Sequence, residues 1–148
     1  MIGFGSSNDI KSVTERTGIR SLAIDPLKKL IACGDRNGTI GIFRFEDFEK
    51  IATIEAHDAE IMALDFVMTG PNDSLILASA SRDRLIHIFD ATQSDGNYDF
   101  QLVQTLDDHS STLTAMMFAD SGSKLISCGA DKTIIFRSLQ DVLFAHFY

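Results

Sequence analysis

The chain has no tryptophan, only two cysteines, few basic residues and no long apolar run. No stretch approaches the roughly 20 apolar residues that span a bilayer, and the N-terminus lacks the charged-then-apolar layout of a signal peptide. These absences exclude a helical membrane protein and point to a cytoplasmic or nuclear location. Lys and Arg number 13 against 21 Asp and Glu, a net charge of −8. That balance disfavours non-specific attraction to nucleic acid or anionic lipid, which needs cations to replace released counterions, and favours a protein or peptide partner. Cys33 and Cys128 form no CxxC pair, which predicts reduced, buried thiols and no disulfide. Gly3-Phe-Gly5 does not extend to a phosphate-binding glycine loop, so no nucleotide or other cofactor is expected.

What is present is repetition. Leu30-Ile-Ala-Cys-Gly-Asp-Arg-Asn-Gly-Thr-Ile-Gly-Ile-Phe43, Leu77-Ala-Ser-Ala-Ser-Arg-Asp-Arg-Leu-Ile-His-Ile-Phe89 and Leu125-Ile-Ser-Cys-Gly-Ala-Asp-Lys-Thr-Ile-Ile-Phe136 align by strand pattern. They recur about every 46 to 48 residues, a period that marks a repeat array. Each unit pairs apolar strands with polar turns, the pattern of a four-stranded propeller blade that cannot bury its faces alone.

The predicted fold is therefore all-β: a partial β-propeller of about three four-stranded blades. Residues 1–14 form a lead-in, 15–55 blade 1, 56–107 blade 2, 108–138 an incomplete blade 3, and 139–148 a divergent tail. Strands are expected at 18–24, 30–33, 39–43 and 50–54 in the first unit. The second has 61–66, 75–79, 85–89 and, after a longer loop through Ser94-Asp-Gly-Asn97, 101–106; the third has 113–118, 124–128 and 133–137. Three blades cannot close a ring, which needs about four to eight. Both ends are thus expected to expose apolar faces, the chain to be a piece of a longer protein, and the isolated piece to self-associate.

With these repeated strings the units resemble the WD-repeat family, and that resemblance implies that each blade is tied by a side-chain network: a His before the first strand, a Ser or Thr on the second, an Asp in the following turn and a Trp on the third. In the second unit these are His57, Ser79 and Asp83, and in the third His109, Ser127 and Asp131. Phe89 and Arg137 occupy the position where a tryptophan could donate to the serine. The first unit offers only Glu15, Cys33, Asn37 and Phe43, so its network should be weaker or absent. His, Ser and Asp also spell a hydrolase triad, but the set recurs, and no nucleophile elbow accompanies it. Catalysis is not expected. His57, His87, His109 and His146 are scattered, which argues against a metal site.

Residues at the start of each first strand and before each turn aspartate should face one rim around the axis. They are Gly18, Arg20 and Arg36; Glu60, Met62 and Arg82; Thr112, Thr114 and Ala130. Asp58, Asp107 and Asp108 share that rim. Arginine grips carboxylates bidentately, and methionine makes adaptable apolar contacts, so this rim is the candidate partner-binding surface.

Ile54-Glu-Ala-His-Asp58, Leu77 to Ile88, Gln104-Thr-Leu-Asp-Asp-His-Ser-Ser111, Ile126-Ser-Cys-Gly-Ala-Asp-Lys132 and Phe136-Arg-Ser138 are similar to the mitogen-activated protein kinase-binding protein family, which includes a WD-repeat relative found at spindle poles. The resemblance implies a cytoplasmic, spindle-pole or centrosomal scaffold for c-Jun N-terminal kinase signalling, with tandem propellers. It also implies that kinase docking lies C-terminal to the propellers, so kinase binding falls on no residue here. The alternative is a WD-repeat substrate-recognition subunit of a larger enzyme complex, such as a ubiquitin ligase.

Overall fold

A computed structural model describes residues 11–14 and 17–139, and it contains three antiparallel sheets and no α-helix among them. The first sheet is β1 (Ile19–Ile24), β2 (Leu30–Asp35), β3 (Thr39–Arg44) and β4 (Lys50–Glu55), paired in chain order. The second is β5 (Ile61–Thr69), β6 (Ser74–Ser81), β7 (Ile86–Ser94) and β8 (Asn97–Leu106). The third holds β9 (Leu113–Ala119), β10 (Lys124–Gly129) and β11 (Ile134–Ser138), with a single 3-10 turn at Asp120–Gly122. The first strands β1, β5 and β9 lie side by side, so the sheets fan from a common line as propeller blades do. Glu15, most of the lead-in and residues 140–148 lie outside the described residues. Leu139, assigned by sequence to the divergent tail, is fully buried against blade 3, and its N–H donates to the Ser123 carbonyl at 2.9 Å.

The middle strands explain why these units need each other. In β6, six consecutive residues are buried, because both faces of the second sheet meet a neighbour; in β3, Ile40 and Ile42 are buried against blade 2. Leu30, Ile40, Ile42, Ile61, Leu64, Phe66, Leu77 and Phe89 interlock between blades 1 and 2. Ile76, Ile86, Ile88, Leu113, Leu125 and Leu139 do so between blades 2 and 3. Each such side chain contributes about 1.5–3 kcal/mol on burial. Polar bonds add register: Ser21 Oγ donates to the Ile61 carbonyl at 3.1 Å, and the Phe118 N–H donates to Asp65 at 2.7 Å. Burial pushes the Asp65 carboxyl up, against the pull of that N–H.

Turns follow their residues. Asp25, which opens the β1–β2 turn, accepts from the N–H groups of Leu27, Lys29 and Leu30 at 2.6–3.1 Å and is itself buried. Gly38 in the β2–β3 turn has φ +92°, and a Cβ there would sit 2.0 Å from the His57 carbonyl oxygen. The predicted long loop between the third and fourth strands of blade 2 is instead strand. Asp95 and Gly96 both have positive φ, 50° and 80°, and close a two-residue hairpin that extends β7 and β8 to nine and ten residues. The predicted burial of the thiols also needs correction: Cys33 and Cys128 are half-buried, because their strands face the open sides of blades 1 and 3.

Those open sides are apolar. Ile19, Leu22, Ile24 and Leu27 are exposed on blade 1, and Met117, Ile134 and Phe136 on blade 3. The 148-residue chain should therefore sediment with a mass that rises with concentration. Leu22→Lys with Phe136→Lys, at sites 66% and 74% exposed, should return it to monomer mass in analytical ultracentrifugation.

Candidate functional site

Two polar chains stand on the second and third blades. His57 precedes β5, Ser79 lies in β6 and Asp83 in the β6–β7 turn. Nδ1 of His57 is 2.9 Å from Asp83 Oδ2, and Nε2 is 2.7 Å from Ser79 Oγ. His109, Ser127 and Asp131 repeat this at 3.0 and 2.8 Å. Chemistry fixes the proton on His57: a carboxylate only accepts, so Nδ1–H donates to Asp83 and the Ser79 hydroxyl donates to Nε2. Ser79 thus has an acceptor without any tryptophan. Phe89, at the position where a tryptophan could donate to Ser79, has no N–H to offer; it lies opposite Leu77, and the cross-strand neighbour of Ser79 is His87.

Each aspartate also clasps its own turn. Asp83 accepts from the N–H groups of Leu85 and Asp58, and Asp131 from those of Thr133 and Ser110. Burial pushes the Asp83 carboxyl up, but the Leu85 amide and His57 outweigh it and hold it below the ordinary value. The Thr133 hydroxyl, 2.7 Å away, leads the forces that hold Asp131 far below it. His57 is lowered by burial, which outweighs the attraction of Asp83. Among the described residues no buried side-chain nitrogen or oxygen lacks a partner.

Among the described residues of blade 1 no Asp–His–Ser chain forms. Cys33 and Asn37 hold the serine and aspartate positions, and Asp35, which sequence reasoning missed, takes over the turn. It accepts from Thr17 Oγ1 at 2.6 Å and from the N–H groups of Asn37 and Thr39 at 2.9 Å. Aspartate two residues before a turn amide was the available signal. In blade 3, Arg137 pairs with Asp108.

The Asp–His–Ser connectivity matches a hydrolase triad bond for bond. Ser79 is fully buried and Ser127 is 5% exposed, so neither hydroxyl can meet a substrate. The histidines are less scattered than the sequence implies: the rings of His57 and His87 stack with centroids 4.3 Å apart. His57, Asp83 and His87 place potential ligand atoms within 4.8 Å of one another. Both His57 nitrogens are engaged, however, and stacked rings direct their lone pairs along parallel planes rather than to one point, so the cluster is poorly shaped for an ion.

The rim is built by a recurring irregularity. Pairing of β1 with β2 skips Arg20, that of β5 with β6 skips Met62, and that of β9 with β10 skips Thr114, a bulge at the same place in every blade. A bulge re-aims the extra side chain, here at the rim end of each inner strand. Arg20, Arg36 and Arg82 converge on Glu60, at 3.3, 4.0 and 3.3 Å. The Glu60 side chain is 15% exposed, while those of the arginines are 49–71% exposed. Three cations around one carboxylate leave a local excess of positive charge on an acidic protein. Gly18 lies against Arg36, where a Cβ would be 3.4 Å from its Nε. Met62 is half-buried beside this cluster in sequence; Thr112 and Thr114 stand on blade 3, where Thr114 donates to the Cys128 carbonyl and Thr112 accepts from the Ala130 N–H.

The family model for the WD domain, G-beta repeat, matches residues 8–44, 48–90 and 100–137. The chain belongs to the WD-repeat family. The second and third matched stretches begin near the outer strand of one blade and end on the third strand of the next, so the repeat in sequence is offset by one strand from the blade in space. The chain is 43% identical over 139 residues to human mitogen-activated protein kinase-binding protein 1, with 92% of the chain and 9% of that relative covered. It is 42% identical over 138 residues to WD repeat-containing protein 62 of Sus scrofa, covering 92% and 8%. Nuclear distribution protein PAC1 of Gibberella zeae is 32% identical over 110 residues, covering 74% and 22%. The chain thus spans less than a tenth of the length of the first two. These relationships support a WD-repeat interaction scaffold.

Two outcomes follow. Asp83→Ala should destabilise the chain by about 1–3 kcal/mol in urea unfolding, because it strips acceptors from His57 and two amides. Acid should also act through the histidines. The pKa values of His57 and His87 are lowered on folding, so the unfolded state binds protons more readily below about 6.5. Their contribution is complete above that pH and is lost as pH falls toward the folded values; the part due to Asp83 is present above about 3.8 and is lost as pH falls through its lower folded value. The melting temperature should fall between pH 7 and 5, and less steeply in His87→Gln.

Proposed function

We propose that this chain is a non-catalytic, protein-binding segment of a scaffold in kinase signalling and spindle organisation, of the c-Jun N-terminal kinase type. The observation that carries the binding role is the convergence of Arg20, Arg36 and Arg82 on Glu60 at the ends of bulged inner strands. Blades 1 and 2 both contribute, so the surface exists only once the units have stacked. The guanidinium groups are already held in place by Glu60, which lowers the entropy lost when a partner carboxylate arrives. Desolvated arginine pairs are a recurrent source of interface energy.

The pathway reading is supported by similarity to a kinase-binding protein and to WD repeat-containing protein 62. A cytoplasmic or spindle-associated site agrees with the kinship to nuclear distribution proteins. Among the described residues no helix is long and apolar enough to cross a membrane. The net charge of −8 favours protein over nucleic acid or anionic membrane as the partner class.

Affinity purification from cells with tagged chain and with Arg20→Glu/Arg36→Glu/Arg82→Glu tests the reading. Spindle or signalling proteins should be recovered with the first and lost with the second, while the thermal melt is retained. Equal recovery by both removes the rim from the account. Stoichiometric ubiquitin-ligase subunits in the eluate establish the substrate-recognition alternative instead.

A further inference from the structure

The extended β7–β8 hairpin has no equivalent on the first sheet, where β3 and β4 are six residues each. It projects from blade 2 at the end opposite the arginine rim and leans beside the β1–β2 and β3–β4 turns of blade 1. Gln93 and Tyr98, a cross-strand pair near its tip, form with Lys29 a ridge shared by two cavities of about 310 and 380 Å³. Cavities of roughly 300 Å³ and above are the size of ligand sites. The two differ in character. The first is acidic, bordered by Asp25, Asp73 and Asp90. The second has an apolar wall of Leu30, Phe45, Ile51 and Tyr98 and a rim of Lys28, Lys29 and Arg44, with Glu46 beside them.

The charges on that second rim are unequally committed. Arg44 is gripped by both oxygens of Asp47, at 2.7 and 2.9 Å. Lys28 and Lys29 are exposed, and among the described residues neither is in an ion pair. Lys28 is held in the left-handed region, φ 56°, by a turn whose carboxylate, Asp25, is buried and saturated with backbone N–H donors. Two lysines are thus displayed on a rigid turn at the mouth of an apolar slot. Everything that lines the slot comes from blades 1 and 2, so its walls need no further blade.

We propose that this slot binds an extended peptide segment of a partner protein, with one bulky apolar side chain inserted beside Tyr98 and acidic residues beside it facing Lys28 and Lys29. The apolar wall supplies the anchor, and the lysines select the flanking sign of charge. The site is separate from the arginine rim and does not depend on the role proposed for it.

A fluorescein-labelled peptide with a central Leu-Phe pair between runs of glutamate, titrated with the full chain in fluorescence anisotropy, tests this. It should bind, and its affinity should fall with added salt. Lys28→Glu/Lys29→Glu, at exposed sites that leave the fold intact, should weaken it by at least about tenfold, as should Tyr98→Ala. Peptides with lysine in place of glutamate, or with serine in place of Leu-Phe, should bind at least about tenfold more weakly than the parent peptide. Arg36→Glu/Arg82→Glu should leave affinity unchanged. Absence of binding, binding indifferent to the lysine reversal, or binding lost with the arginine reversal instead would overturn the proposal.

Discussion

Burial of apolar side chains between neighbouring sheets is the constraint on which the rest depends. A single four-stranded sheet of this sequence has two oily faces and too little chain to cover either. Stacking solves this for the inner faces: Ile40, Ile42, Phe66 and Leu77 close one seam, and Ile76, Ile88, Leu113 and Leu125 the other. The outer faces keep Leu22 and Phe136 in water, the physical cost of an arc that is not a ring. Fold, rim and slot are all consequences of sheets pressed side by side.

The Asp–His–Ser chains do a different job from the apolar seams. Dispersion and the hydrophobic effect are indifferent to small slips, whereas a histidine with two committed nitrogens has one acceptable position. By joining a loop, a middle strand and a turn within one blade, His57 and His109 fix the ends of strands whose middles are held by packing. The connectivity is that of a catalytic relay. The hydroxyls of Ser79 and Ser127, however, are buried.

The two surfaces proposed to bind partners lie where regularity breaks. The bulges at Arg20, Met62 and Thr114 turn side chains out of the pleat at one end of the blades. The over-long β7–β8 hairpin creates a second irregular region at the other. Arg20, Gln93 and Tyr98 stand on strands, and Arg36, Arg82, Lys28 and Lys29 on the short turns that join them.

The sequence alone determined the strand order, the unit period, the two blade networks and the apolar character of the open ends, because these are set by local alternation and by residues repeated at fixed spacing. It also marked Arg20, Arg36, Arg82 and Glu60 as rim residues. It left undecided that three of these charges meet on the fourth, that His87 stacks on His57, that Asp35 replaces the missing aspartate of blade 1, and that Asp65 ties blade 2 to blade 3. The arginine cluster and the Asp65 bond join residues from different blades, at distances set by how far one blade is turned against the next, whereas the His57–His87 stack and the Asp35 turn depend on which side chains one blade brings together. Repetition along a chain specifies the unit, while the angle and register between units are settled only by the packing of their faces.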